Sequence, residues 1–182
     1  IGNAQITLDI AGISIVGLGH GSNRPRIDFD HANGSIDITA NGCRMENLRL
    51  LPSGTAVLIA IDVTADDTLL RGLETLPGED GAGVDEFAET VEINAGSDRP
   101  IIEGCTFTQH ASAAGVLSCV LLQGASDGCV IRDCVLWTAG AGLVAPINGD
   151  TTLSTNLLVE NCTLTTDAEP GTYTYFCSYH WT

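Results

Sequence analysis

Two segments, CVIRDC at 129–134 and LLVENC at 157–162, share one pattern: apolar, variable, apolar, charged, then Asp or Asn, then Cys. Upstream, ISIVGL (13–18), CRMENL (43–48), TLLRGL (68–73) and PIIEGC (100–105) repeat it, with Leu or Cys last and Gly or Asn before it. The penultimate residues, Gly17, Asn47, Gly72, Gly104, Asp133 and Asn161, lie 30, 25, 32, 29 and 28 residues apart. A period of that size suits one coil of a β-helix, three short strands with bends between them. The repeat predicts an all-β chain: a right-handed parallel β-helix of about six coils, with loops thrown out at one corner.

Strand geometry turns the repeat into columns. Alternate side chains share a face, so Ile15, Met45, Leu70, Ile102, Ile131 and Val159 are expected inside. Gly, Asn and Asp tolerate left-handed backbone best, so each penultimate residue is read as a structural pivot. Bending there brings the following residue inside as well, giving an inward ladder of Leu18, Leu48, Leu73, Cys105, Cys134 and Cys162. Before the pivot stand Glu46, Arg71, Glu103, Arg132 and Glu160, whose signs alternate strictly. Coils spaced ~4.8 Å apart would set each charge between opposite neighbours. Such an outward charge ladder fixes register more than it adds stability.

A second ladder is expected eleven residues before the pivots, at Ile61, Ile93 and Leu122, with Ile147 and Phe29 in the same role at longer offsets. Asp62, Asn94, Gln123 and Asn148 follow these residues and would form a polar stack at a turn. The stretches 19–25, 51–56, 76–89, 109–115 and 138–142 are left as loops, where function on a solenoid usually sits.

Composition narrows the function classes. The 182 residues, 44% hydrophobic, suffice for one buried core, so 1–182 is read as a single β-helix domain. The chain starts inside a β-like run and stops at SYHWT, so it is expected to be part of a longer chain or to be covered at its ends. A formal charge of −16 repels a phosphate backbone and an anionic bilayer, which argues against nucleic acid and membrane as partners. No apolar run is long enough to span a bilayer. The odd set of seven cysteines has no CxxC spacing, so neither a zinc ribbon nor a tidy disulfide framework is indicated.

The ladders seen in VIRDCVL and LLVENCTL resemble those of the pectate-lyase-like parallel β-helices, a group that includes polygalacturonases and phage tailspikes. The run ITLDIAGISIVGLGHGSNRPRIDF looks more narrowly like the first coil of β-helical structural proteins of tailed bacteriophages. The resemblance covers essentially the whole chain. It implies the fold and leaves the role open, because this solenoid hosts lyases, hydrolases and inert fibres.

Each candidate for chemistry has a structural alternative. Gly19-His20-Gly21 matches the polygalacturonase GHG triplet, but the companion acidic motifs are missing upstream, and Asn148-Gly149-Asp150 lies far downstream. Asp28 with Asp30, or Asp66 with Asp67, could face one sugar as a glycosidase carboxylate pair. With 23 acidic residues, accidental pairs are expected. Arg71 and Arg132 among Glu46, Glu103 and Glu160 recreate the ingredients of a lyase, yet their regularity reads as a ladder. Glu79, Asp80, Asp85 and Glu86 could hold a hard cation or be a solvated loop. Cys105, Cys134 and Cys162 are expected to fill the core, whereas Cys119 or Cys177 could point outward toward another chain. Tyr173, Tyr175, Phe176, Tyr179 and Trp181 would cover the last coil or a partner.

No catalytic residue, metal ligand or cofactor is therefore assigned. The expected role is a non-catalytic structural protein of the phage particle surface, a capsid decoration or fibre module serving as rigid spacer. Its partners would be other virion proteins or copies of itself, a homotrimer among the options, with a surface glycan as a further ligand. The alternative is a tailspike-like enzyme, a lyase or glycoside hydrolase, that degrades polysaccharide.

Overall fold

The structure, a computed structural model, describes residues 5–53, 57–76, 86–110, 118–139, 145–149 and 154–166. Its strands, numbered in chain order, fall into three parallel sheets visited in rotation. The first sheet holds β1 (Gln5–Leu8), β4 (Ser35–Ile38), β7 (Val57–Val63), β10 (Phe87–Asn94), β13 (Ser118–Gln123) and β16 (Ile147–Gly149). The second holds β2 (Ser14–Val16), β5 (Arg44–Glu46), β8 (Leu69–Arg71), β11 (Ile101–Glu103), β14 (Val130–Arg132) and β17 (Leu158–Glu160). The third holds β3 (Arg26–Phe29), β6 (Arg49–Pro52), β9 (Glu74–Thr75), β12 (Thr106–His110), β15 (Val135–Ala139) and β18 (Thr163–Thr166).

This is the parallel β-solenoid that the repeat predicts. Each sheet is six strands wide, so four strands have neighbours on both sides and two are edges. The core runs between the sheets. Met45, Leu70, Ile102 and Ile131 are at most 1% exposed and stack in register along the second sheet. Phe29 and Phe87 meet edge to face with centroids 5.2 Å apart. Full burial of such side chains contributes roughly 1.5–3 kcal/mol each, which lets strands of three residues persist.

The bend between the second and third sheets falls on the expected pivots in the later coils. Asn47, Gly72, Gly104, Asp133 and Asn161 have φ between 51° and 62°, in the left-handed region. The bend does not cost them their ladder bonds: Asn47 N–H donates to Arg71 O (2.9 Å) and Asp133 N–H to Glu160 O (3.2 Å). After the bend, Leu48, Leu73, Cys105 and Cys134 are at most 3% exposed, and Cys162 is half-buried.

The first coil requires a correction. Gly17 does not share the positive φ, and Leu18, expected in the inward ladder, is 84% exposed. Without the left-handed bend the strand keeps alternating, so Leu18 stays outside. Gly17 is needed for another reason, since a Cβ there would lie 2.1 Å from Asn47 O.

The second ladder shifts as well. Ile93 pairs with Leu122, but Ile61 pairs with Val91 and Ile147 with Val120, while Phe29 belongs to the third sheet opposite Pro52. The register instead aligns Ile36-Asp37-Ile38, Ile61-Asp62-Val63, Val91-Glu92-Ile93 and Val120-Leu121-Leu122. A two-residue slip keeps every side chain on its own face, so the hydrophobic pattern alone does not reveal it. The expected polar stack is accordingly rearranged: Asp62 faces Glu92, Asn94 faces Gln123, and Asn148 faces Leu121.

The loops do not all share a corner. Residues 19–25 connect the second sheet to the third, whereas the connections beginning at residues 53, 76, 111 and 140 lead from the third sheet to the first.

Candidate functional site

The bend between the first and second sheets carries a ladder that the sequence reading missed. Gly12, Gly42, Asp67, Arg99, Gly128 and Asn156 all have positive φ, between 53° and 77°. Each stands five residues before a pivot and so repeats at the same intervals. The residues just before them form a chain of side chain to backbone bonds. Asn41 Oδ1 accepts from Asp66 N–H (3.0 Å), Asp66 Oδ1 from Asp98 N–H (2.9 Å), and Asp98 Oδ1 from Asp127 N–H (2.9 Å). Asp127 then accepts from Thr155 Oγ1 (2.6 Å) and Asn156 Nδ2 (2.8 Å), bonds that hold its carboxyl below the usual range. Arg99 reaches back to both Asp67 oxygens (2.8 and 3.0 Å), and that hydrogen-bonding lowers the Asp67 carboxyl. The signal was present as Asn41, Asp66, Asp98 and Asp127, but mixed Gly, Asp, Arg and Asn at the bend disguised it.

Asp66 and Asp67 are thus corner residues, fully engaged with the coil above. Asp28, the other candidate, pairs with Arg26 at 2.6 Å within its own strand. Gly19-His20-Gly21 leads into a short 3-10 turn, Gly21–Asn23, pinned by Asn47 Nδ2, which donates to Gly17 O (2.7 Å) and Gly19 O (2.8 Å). Arg24 closes the same loop through Gly72 O (2.8 Å) and the Glu74 carboxylate. Asp150, Glu79, Asp80, Asp85, Cys177 and the aromatic group from Tyr173 to Trp181 lie outside the described residues.

In the charge column Glu46 faces Arg71, Arg71 faces Glu103, Glu103 faces Arg132, and Arg132 faces Glu160. Arg71 bridges Glu46 (3.6 Å) and Glu103 (3.2 Å), and Arg132 reaches Glu103 at 3.4 Å. Both guanidiniums are substantially exposed, so each contact is worth about 0–1 kcal/mol.

Among the carboxyl groups the largest shift lies on the first sheet. Asp37 faces Asp62 and Asp62 faces Glu92, a run of like charges on neighbouring strands. Burial raises the Asp62 carboxyl, and the nearby Glu92 and Asp37 add to that, against a hydrogen bond from Asn94. Glu89, only 7% exposed, is pushed up to about 8, first by burial and then by its hydrogen bond to Glu92 and the repulsion between them. A carboxyl holding its proton near neutrality beside carboxylates can donate a proton or a hydrogen bond. Glu89 ends the stretch 76–89 expected as a loop, whereas β10 takes in Phe87–Asn94, so sequence alone gave no reason to single out Glu89 or Glu92.

The cysteines divide into two groups. Cys43, Cys119 and Cys129 are wholly buried. Burial pushes the Cys129 thiol up to about 12 and the Cys119 thiol higher still. Cys119 is therefore not the outward thiol that was one of two candidates; its Sγ lies against Phe107 O (3.5 Å) and Trp137 O (3.6 Å). Cys105, Cys134 and Cys162 form the second group, stacked one coil apart with their thiols hydrogen-bonded along the column. Among the described residues no group of three His, Cys, Asp or Glu is placed to hold a metal ion, and no helix is long and apolar enough to cross a membrane.

No protein-family model, no curated protein and no solved structure matches the chain.

Proposed function

We propose that the chain is a non-catalytic structural module at the surface of a tailed-bacteriophage particle, a decoration or fibre element that acts as a rigid spacer. The observation that carries this reading is the engagement of its candidate chemical groups in ladders. Arg71, Arg132, Glu46 and Glu103 neutralise one another along one column, and Asp66, Asp67 and Asp98 are held along another by Arg99 and by backbone N–H groups. Such columns repeat with the coil, as a scaffold requires, whereas a catalytic centre breaks regularity at one place. The solenoid's edge strands invite pairing with other virion proteins or with further copies of the chain, a homotrimer included. Placement in a phage rests on the likeness of residues 6–29 to the first coil of phage β-helical proteins.

One observation favours a polysaccharide-degrading enzyme instead: Glu89, holding its proton up to about 8 beside Glu92. A carboxyl that stays neutral near pH 7 can serve as the general acid of glycoside hydrolysis, whose second carboxylate stands about 5–9.5 Å from the first rather than in hydrogen-bond contact as Glu92 does. The deciding experiment incubates the chain with polyuronates and host surface polysaccharides and follows new reducing ends and unsaturated products. The structural reading expects none, together with labelling of a discrete site on particles seen by electron microscopy. Robust cleavage that is lost in Glu89→Gln overturns it in favour of the enzyme.

A further inference from the structure

The column Cys105, Cys134, Cys162 contains groups that neither reading of the function uses. Its members occupy equivalent positions in successive coils, because Val135 N–H donates to Cys105 O (2.9 Å) and Thr163 N–H donates to Cys134 O (2.9 Å). The flanking residues are in register on both sides, Arg132 opposite Glu160 and Val135 opposite Thr163. Neighbouring strands put their Cα atoms ~4.8 Å apart, inside the ~4.4–6.8 Å that a disulfide spans.

Surroundings then distinguish the three thiols. Cys105 is 1% exposed, and burial pushes its thiol well above the ordinary value. Cys162, in the coil of β17 and β18, is half-buried and open to a small reagent. Its Sγ sits 3.2 Å from Glu160 O and 3.6 Å from Ile131 O. Cys134 lies between them. The hydrogen bond from Cys105, with further help from Cys162, outweighs burial and brings the Cys134 thiol down to about 7, so a large share is thiolate at neutral pH.

We infer that Cys134 and Cys162 are a reversible dithiol–disulfide pair that takes oxidising equivalents from a low-molecular-weight disulfide and clamps the coil of β17 and β18 to the coil of β14 and β15. In the first step the half-buried Cys162, as its thiolate, attacks the reagent, R–S–S–R. A Cys162–S–S–R bond forms, the reagent's S–S bond breaks, and RS⁻ leaves. In the second step the Cys134 thiolate attacks Cys162 Sγ, the Cys134–Cys162 bond forms, and the second RS⁻ departs. The two protein thiols lose two electrons and two protons, and one reagent disulfide becomes two thiols. Cys43, Cys119 and Cys129 stay reduced because they are fully buried, and burial also holds the Cys119 and Cys129 thiols protonated.

The test incubates the folded full chain with oxidised glutathione, blocks residual thiols by alkylation and cleaves after glutamate and aspartate. The cuts at Asp127, Asp133, Glu160 and Asp167 put Cys134 and Cys162 on peptides separate from each other and from Cys105, Cys129 and Cys177. The expected product is a Cys134–Cys162 linked peptide pair that dithiothreitol splits, whose formation speeds up as pH rises because Cys162, its thiol pushed up by burial, must first become a thiolate. It is retained in Cys129→Ser and lost in Cys162→Ser; should either variant misfold, the wild-type linkage decides alone. Oxidised chain is also expected to protect β17 amides from hydrogen exchange several-fold relative to reduced chain. Stable glutathionylation of Cys162 with Cys134 still alkylated overturns the inference, as do linkage to Cys105 or Cys177 and an unmodified Cys162.

Discussion

At the scale of single residues, the bends show how far a side chain is dictated by its backbone. Asn47 does two things: it occupies φ 57° and its amide holds Gly17 O and Gly19 O. Asn47→Ala removes both, and is expected to cost about 2–4 kcal/mol in urea unfolding, combining left-handed strain with lost hydrogen bonds. Asn47→Gly keeps the backbone conformation and loses only the bonds, so its cost should be the smaller of the two. Gly17→Ala is a different kind of change, because its Cβ would collide with the Asn47 carbonyl rather than strain its own φ. It is expected to destabilise by about 1–3 kcal/mol, the range of an overpacked site, with the loop at 19–25 losing hydrogen-exchange protection first.

At the scale of strands, the columns matter more than their members. Arg71→Glu would place a negative charge between Glu46 and Glu103, replacing two attractions by two repulsions. Its loss of stability should be on the order of 1 kcal/mol at low salt and should shrink at high salt, since these side chains are half-exposed. The first sheet provides the opposite case. Glu89 holds its proton to about 8 when folded and releases it at an ordinary carboxyl pKa when unfolded. Its raised folded value means that its contribution is intact below about 4.5 and is lost as pH rises to about 8. The melting temperature of the wild type should therefore fall across that window, and Glu89→Gln, which cannot ionise, should flatten the fall. A profile equally steep in the variant would show that another group is responsible.

At the scale of the molecule, a solenoid has nearest-neighbour contacts only, so its stability is a sum along the axis. In the coil containing β2 the inward Ile15 is only partly buried, while its counterparts Leu70 and Ile102 in β8 and β11 are at most 1% exposed. Hydrogen exchange should report this gradient: β2 amides should exchange fastest within the second sheet and β8 and β11 amides slowest. Equal protection along the axis of an isolated chain would mean that the coils unfold as a single unit.

The sequence by itself determined the repeat, and with it the parallel solenoid, the αL bends at Asn47, Asp133 and Asn161, and the alternating Glu–Arg column. These are periodic features, and a strict period survives in one dimension because each coil must stack on the next. Gly17 and Leu18 escaped it because Gly17 lacks the left-handed φ, so the strand goes on alternating and Leu18 stays outside. The register of the first sheet was decided only in three dimensions, since a slip of two residues leaves every face unchanged and only the length of the neighbouring bend selects it. The same holds for Glu89 and for Cys134. Their altered acidities depend on which groups lie one coil away, a distance of a few ångströms in space and about thirty residues in the chain.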